Sequence, residues 1–273
     1  MRFKTFLKEA SGYNVVEEID HEDAVLYVEN NCKDFLKLYQ TTTDYVWRGM
    51  RKDDLYYLGD STSQQRKSSN TLNYYNLFMQ NMPEWDKFPD RLRSFICSSR
   101  EETAREFGNT YLVFPEDGVT FGICPSSDLW ASFKWDLHNE FNSSLEILSK
   151  EYGIKLDEYN VKKFEDGLKK IESEIRTSYD SEAEFTDSLM KYGVSHIPLE
   201  MRKDIYKHKD DIWGYYASIL SSEGFSMKTT KNYKVNGNKE LWFSGKAIFV
   251  NVSTDTDEDT TTIKEFMAEF DKE

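Results

Sequence analysis

A segment with a helical pattern separates two parts of the chain that carry strand signals, and this arrangement constrains the fold more than any other feature. Across residues 129–222, apolar residues recur at spacings of three and four, and Ser181 with Glu184 is typical of a helix capping box. The pattern predicts a helical insertion within a strand core. Its longest apolar stripe consists of Val161, Phe164, Leu168, Ile171 and Ile175.

The strand-rich parts on either side of the insertion are predicted to form one discontinuous core, which gives an α+β fold class. The core comprises residues 1–130 and 226–273, and the insertion comprises residues 131–225. Near the start of the core, residues 20–40 predict an amphipathic helix with Asp20 as its cap. The other core predictions are a strand at 45–47 that ends at Arg48, a loop at 52–69, strands at 92–99, 111–114 and 119–124, a helix at 100–107, a hairpin of strands 233–235 and 241–250 around Asn236-Gly237, and a helix at 260–270.

The charge balance limits the partners that such a chain can bind. The 273 residues include 35 basic and 49 acidic side chains, a net charge of −14. Because cations favour contact with phosphates, this balance argues against a broad surface for nucleic acid. The segment 48–105 nevertheless holds ten bases and eight acids. A local site for a diphosphate is therefore compatible with the composition.

Neither a membrane segment nor a metal site is predicted. The N-terminus has no apolar run typical of a signal peptide, and no stretch approaches the roughly 18 apolar residues that span a bilayer. The three cysteines and four histidines have no spacing that suits a set of metal ligands. We expect a cytoplasmic protein without membrane contact and without a bound metal.

Three short motifs carry the candidate chemistry. The first, at the end of a predicted strand, is YVWRG at 45–49. The second is FICSS at 95–99, which precedes a predicted helix that contains Ala104 and Phe107. The third is NKELWF at 238–243, at the start of a late strand.

In this order, the motifs resemble those of the ADP-ribosyltransferase superfamily of the arginine, serine, glutamate type. The resemblance implies a split β-sheet core around an NAD⁺ crevice, with an N-terminal helix and a large helical insertion. It also implies an enzyme that breaks the bond between nicotinamide and ribose in NAD⁺. The ribosyl cation that develops there can be stabilised by a carboxylate aimed at it.

The resemblance assigns a role to each motif residue. Arg48 would hold a phosphate or ribose of NAD⁺, Ser98 would belong to the catalytic set, and Glu240 would be the catalytic carboxylate. We expect these three side chains to converge in one cleft. The residues implied to bind NAD⁺ are Arg48, Gly49, Cys97, Ser98, Ser99 and Phe107.

Two residues depart from the pattern of the superfamily. Cys97 stands where the first serine of the second motif normally helps to orient the glutamate, and a thiol is a weaker hydrogen-bonding group than a hydroxyl. Asn238 stands two residues before Glu240, where members that modify arginine carry a second glutamate. Protein arginine is therefore not the expected acceptor.

The leading functional hypothesis is a stand-alone mono-ADP-ribosyltransferase, similar to toxins or phage effectors. Its acceptor would be a macromolecule, either a non-arginine protein site or nucleic acid, and an antitoxin or a host protein is a further candidate partner. Two alternatives stay open: an inactive transferase-like fold that serves as an interaction protein, and an NAD⁺ glycohydrolase that transfers ADP-ribose to water.

Overall fold

The fold is described from a computed structural model. The ranges that it describes are residues 16–63, 72–192, 197–252 and 263–271.

The chain divides into two compact units, each formed from segments that are separate in the sequence. The first, which we call the sheet unit, comprises Met1–Ser69, Lys87–Leu129 and Gly224–Glu273. The second, the helical unit, comprises Asn70–Asp86 and Trp130–Glu223. The segment Asn70–Asp86 therefore groups with the helices, whereas the sequence analysis assigned it to the strand core.

Within the described residues, an antiparallel sheet of nine strands lies in the sheet unit together with helices, so the chain has a mixed α+β fold. The order of neighbouring strands is β1-β3-β9-β5-β2-β4-β8-β6-β7. The strands are β1 (Val16–Glu18), β2 (Trp47–Met50), β3 (Tyr56–Asp60), β4 (Phe95–Ser98), β5 (Asn109–Pro115), β6 (Thr120–Ile123), β7 (Ser226–Thr229), β8 (Glu240–Phe243) and β9 (Lys246–Asn251).

Strands β8 and β9 follow each other directly in the chain but have different neighbours in the sheet. Strand β8 pairs with β4 and β6, whereas β9 pairs with β3 and β5. The predicted hairpin around Asn236-Gly237 is wrong, because its first strand is absent: residues 233–235 lie outside any strand. Backbone groups of the loop that follows bond to Ser99 instead of to a hairpin partner.

The predicted loop at 52–69 is wrong where β3 lies. All residues of β3, Tyr56–Asp60, pair with β9, and both Tyr56 and Tyr57 are buried. Polar neighbours on each side of so short a strand conceal its period in the sequence. Residues 64–69 of the predicted loop lie outside the described residues.

The helix predicted at 20–40 is two helices, α1 (His21–Asn31) and α2 (Lys33–Thr41). The break is at Cys32, whose φ of −123° and ψ of 35° are not helical. Its thiol donates to the carbonyl oxygen of Phe114 at 3.3 Å, which ties the break to β5. The predicted cap is confirmed, since Asp20 accepts a hydrogen bond from the backbone of Asp23 at 2.8 Å.

Helix α2 fixes the entry of the chain into β2. The hydroxyl of Tyr39 donates to the carbonyl oxygen of Val113 at 2.8 Å and accepts from the backbone N–H of Val46 at 3.0 Å. One buried phenol thus bonds both to β5 and to the residue that precedes β2. The Phe35 ring, one turn earlier, packs against Phe121 of β6.

The remaining predicted elements of the sheet unit are confirmed with shorter, longer or shifted bounds. The strand predicted at 92–99 begins only at Phe95, because Arg91–Arg93 form a 3₁₀ turn. The helix predicted at 100–107 is α4 (Glu101–Arg105), which follows α3 (Tyr74–Gln80) in the numbering. Of the helix predicted at 260–270, the described part is α10 (Ile263–Ala268) with a 3₁₀ turn after it.

Helices dominate the other unit, as the sequence predicts. The apolar stripe of its longest helix is buried except at Val161, which is half-buried. Ser181 caps the next helix by accepting from the backbone of Glu184 at 3.3 Å. In the described residues of this unit, a π-helix at Leu137–Asn142 is followed by the α-helices α5 (Ser143–Glu151), α6 (Val161–Ser178), α7 (Glu182–Met190), α8 (Leu199–Lys207) and α9 (Ile212–Ile219).

None of the helices within the described ranges combines the length and the apolar character that a membrane crossing requires.

A glycine on β6 permits close packing of a tryptophan, and its replacement tests the arrangement of the sheet. A Cβ atom at Gly122 would lie 2.2 Å from Cε2 of Trp242, the residue opposite it on β8. We expect Gly122→Ala to lower the free energy of unfolding by about 1–3 kcal/mol, the usual cost of overpacking. Thr120→Ala, on the same strand, should cost less than about 1 kcal/mol. Urea denaturation of both variants measures the difference, and equal stability would contradict the packing.

Candidate active site

The three sequence motifs lie on three neighbouring strands, β2, β4 and β8. Strand β4 is the middle one. Ser98 lies opposite Trp47 of β2 on one side and opposite Glu240 of β8 on the other. Because directly opposed residues of an antiparallel pair point to the same face, Ser98 and Glu240 share a face of the sheet.

The carboxylate of Glu240 is held by three groups of the sheet unit. Its Oε1 lies 2.7 Å from Nη1 of Arg91 in an ion pair, and 3.9 Å from the thiol sulfur of Cys124. Its Oε2 accepts the backbone N–H of Leu129 at 3.1 Å. The Glu240 side chain is 13% exposed and that of Arg91 is 5% exposed. This carboxylate is therefore largely enclosed and has a fixed orientation.

Arg48 occupies a different environment from Glu240. Being next to Trp47 on β2, it points to the opposite face from Ser98, on the side of Cys97 and Phe95. Its guanidinium donates to the carbonyl oxygen of Ile96 and lies 5.5 Å from the centre of the Phe95 ring. With 4% of the residue exposed, Arg48 lies within the core of the sheet unit.

The structure thus brings Ser98 and Glu240 together but turns Arg48 to the other face. The resemblance of the motifs had predicted that all three side chains lie in one cleft. The prediction assumed that the strand ends at Arg48. Arg48 instead lies inside β2, where successive side chains point to opposite faces of the sheet.

Gly49 connects the first two motifs by close packing. A Cβ atom at this position would lie 1.9 Å from the carbonyl oxygen of Ala104 and 2.8 Å from the Cβ of Phe107. The end of α4 therefore packs directly on β2, and only glycine fits there. Phe107, which the resemblance implies to bind NAD⁺, is 45% exposed.

The turn after β4 is bonded to the loop that leads into β8. The hydroxyl of Ser99 donates to the carbonyl oxygen of Gly237 at 2.8 Å and accepts the backbone N–H of Lys239 at 2.8 Å. Ser98 stabilises the same turn, since its hydroxyl accepts the backbone N–H of Arg100 at 3.0 Å. Ser99 thus joins this turn to the loop that precedes Glu240, and Ser98 stabilises the turn itself.

Cys97 is a buried thiol on the same face of the sheet as Arg48. Burial raises its pKa to about 12, the positive charge and hydrogen bond of Arg48 lower the pKa in part, and the charge of Glu240 raises it. Because the thiolate is the reactive form of cysteine, this thiol is poorly suited to act as a nucleophile.

Arg91 is the main residue of the site that sequence analysis missed. Arg91 is buried and paired with Glu240, whereas the side chain of Arg93, two residues further on, is 47% exposed. No local period links Arg91 to a carboxylate so distant in the sequence. Only a general rule was available: an arginine that is buried must have a partner, because burying an unpaired charge costs much free energy.

Other possible sites in the described part of the chain are limited. Within it, no group of three or more His, Cys, Asp or Glu side chains could hold a metal ion. A depression of about 440 Å³ on the sheet unit contains none of Arg48, Ser98 and Glu240. It is lined by Lys87, Phe88, Pro89, Asp117, Gly118, Val119, Thr120 and Ser244.

Comparison of the chain with protein-family models, with curated proteins and with solved structures gave no match.

Replacement of Arg48 distinguishes a role in the core from a role at a ligand. We expect Arg48→Ala to lower the free energy of unfolding by about 1.5–3 kcal/mol, because a charged hydrogen bond to a buried carbonyl is lost. Arg51→Ala, at an exposed position on the same segment, should change it by less than about 0.5 kcal/mol. Chemical denaturation of both variants tests this. Unchanged stability of Arg48→Ala, with weaker NAD⁺ binding by calorimetry, would instead support the role expected from the sequence.

The Arg91–Glu240 ion pair can be tested by a double-mutant cycle. Arg91→Met should destabilise the protein by about 3–5 kcal/mol, because it leaves the Glu240 carboxylate enclosed without its cation. Arg91→Met with Glu240→Leu should recover most of that loss, since an apolar pair often replaces a buried ion pair at little cost.

A surface pair provides the control for this cycle. Arg105 and Glu101 are also 2.7 Å apart, but the Arg105 side chain is 56% exposed. Arg105→Met should cost about 0–1 kcal/mol, as for other surface pairs. Additive losses in the Arg91 and Glu240 cycle, measured by urea denaturation, would contradict a buried pair.

Proposed function

We propose that this protein is a mono-ADP-ribosyltransferase that cleaves NAD⁺ and transfers ADP-ribose to a macromolecule. The observation that carries the proposal is the position of Glu240 on β8 directly opposite Ser98 on β4, the strand that also pairs with β2, which carries Arg48. Three motifs that are far apart in the sequence thus meet in the order arginine, serine, glutamate across the sheet.

The proposed chemistry uses the charge and the fixed orientation of Glu240. The bond between nicotinamide and ribose breaks, nicotinamide leaves with the bonding electrons, and positive charge develops on the ribose. A carboxylate held in place lowers the energy of that cation because no reorganisation is required when the charge appears. The acceptor then attacks the same ribose carbon, and its proton passes to solvent.

The residues fit the ribose end of NAD⁺ better than the diphosphate end. Ser98 and Glu240 share one face of the sheet, as the ribose chemistry requires. The guanidinium of Arg48 is buried against Phe95 and Ile96, so it does not offer a surface cation for the phosphates. In this proposal Arg48 supports the centre of the sheet, and the phosphate contact belongs to other cations.

The proposed acceptor is a non-arginine protein site or nucleic acid, as for a toxin or a phage effector that acts in the cytoplasm. Asn238 at the position two residues before Glu240 is the reason for excluding arginine. Its side-chain amide donates to the hydroxyl of Thr103 at 3.0 Å, so it helps to fix the loop that precedes the glutamate.

A second candidate function is an inactive transferase-like fold that binds a partner. Two observations favour it: Glu240 forms an ion pair with Arg91, and Arg48 is buried. A carboxylate paired with a cation stabilises a second cation less than a free one does. The two functions predict opposite results in a single assay.

That assay is incubation of the purified chain with NAD⁺ labelled in its adenylate part, with separate pools of cell protein, RNA and DNA. Label in one pool identifies the acceptor class and supports the transferase. Release of nicotinamide without label in any pool identifies an NAD⁺ glycohydrolase. Neither label nor nicotinamide would contradict both enzymes and support the interaction protein.

Glu240→Gln tests the carboxylate within this assay. We expect nicotinamide release to fall below about a tenth of the parent rate, which corresponds to at least about 1.4 kcal/mol of barrier. Glu101→Gln is the matched control, because Glu101 is also paired with an arginine at 2.7 Å but at the surface, and it should retain the parent rate. Circular dichroism must show that both variants are folded. A Glu240→Gln variant with more than a tenth of the parent rate would show that another carboxylate is used.

A further inference from the structure

The carboxylate of Glu240 has an enclosed arginine partner whose own position is fixed by several contacts. The centre of the Arg91 guanidinium lies 5.5 Å from the ring centre of Trp242, in a cation–π contact. Trp242 and Glu240 lie two residues apart on β8, so both point to the same face of the sheet. One strand therefore supplies the carboxylate and the ring that bind Arg91.

The tryptophan is in turn bonded to the segment that carries Arg91. The indole N–H of Trp242 donates to the carbonyl oxygen of Pro89 at 2.9 Å, and its ring is stacked on Phe88 with centres 5.9 Å apart. Asp90 caps the 3₁₀ turn of Arg91 by accepting the backbone N–H of Leu92 at 2.9 Å. The Trp242 ring and the backbone next to Arg91 are thus both held in place by these contacts.

Stability alone does not account for this arrangement. A buried ion pair is often replaced by apolar side chains without loss of stability, because desolvation offsets the attraction of the charges. What the pair does provide is one orientation for a long, flexible side chain. Arg91 and the Cys124 thiol contact Oε1 of the Glu240 carboxylate, and the backbone N–H of Leu129 donates to Oε2.

We infer that Arg91 is a positioning residue for Glu240, which it holds in the orientation that faces the ribose of NAD⁺. The inference rests on the proposed function, because Glu240 must be the carboxylate that acts. Arg91 itself does not contact substrate. Its loss should slow the reaction and leave the binding of NAD⁺ unchanged, since Glu240 acts on the cation that appears only in the transition state.

The test compares Arg91→Met and Arg91→Lys with Arg93→Met in steady-state assays of nicotinamide release. Arg93 belongs to the same turn, but its side chain is exposed and lies 3.9 Å from Asp90, so it is the matched control. We expect Arg91→Met to lower kcat by about 10-fold to 100-fold, the loss that a misplacement of about 1 Å can cause, with KM unchanged. Arg91→Lys, which keeps the charge, should recover part of kcat, and Arg93→Met should match the parent.

The outcomes separate the inference from the proposed function. Assays are run below the melting temperature of each variant, and if Arg91→Met does not fold, a fall in kcat without a change in KM in Arg91→Lys carries the test. Parent kcat in a folded Arg91 variant, or a raised KM with kcat unchanged, overturns the inference alone when Glu240→Gln is inactive. No nicotinamide release by the parent, or full activity of Glu240→Gln, overturns both.

Discussion

The pairing of β4 with two neighbours, β2 and β8, is the contact on which the site depends. Strand β4 has four residues, yet it connects to β2 through the single pair of Trp47 with Ser98 and to β8 through four pairs. Because side chains alternate along a strand, this register decides which candidates share a face. A slip of one residue between β4 and β8 would place Cys97, in place of Ser98, opposite Glu240 and would reverse the faces of the whole strand.

Two buried arginines of the sheet unit, Arg48 and Arg91, have different partners. Arg48 contacts a backbone carbonyl and an aromatic ring, whereas Arg91 contacts a carboxylate and an aromatic ring. Buried charges persist in proteins only when they are paired or hydrogen-bonded in this way. The difference in partner gives them different roles: Arg48 ties β2 to β4, and Arg91 fixes the side chain of Glu240.

Several features of the fold could be predicted from the sequence, because they depend on neighbours along the chain. The Asp20 cap, the stripe of α6 and the helix after the serine turn all follow from local periods and capping residues. The predictions failed where a local signal competed with a distant one. Asn236-Gly237 is a strong hairpin signal, yet the loop bonds to Ser99, and a break at Cys32 is set by a contact with β5.

The sequence by itself determined the α+β class, the helical character of the insertion, and the candidate residues Arg48, Ser98 and Glu240 with their order along the chain. Only the tertiary structure decided that Ser98 faces Glu240, that Arg48 points away from them, and that Arg91 holds the carboxylate. The physical reason is the range of the interactions concerned. Caps and helical stripes act within one or two turns, whereas strand register and buried ion pairs join residues that become neighbours only after the sheet has formed.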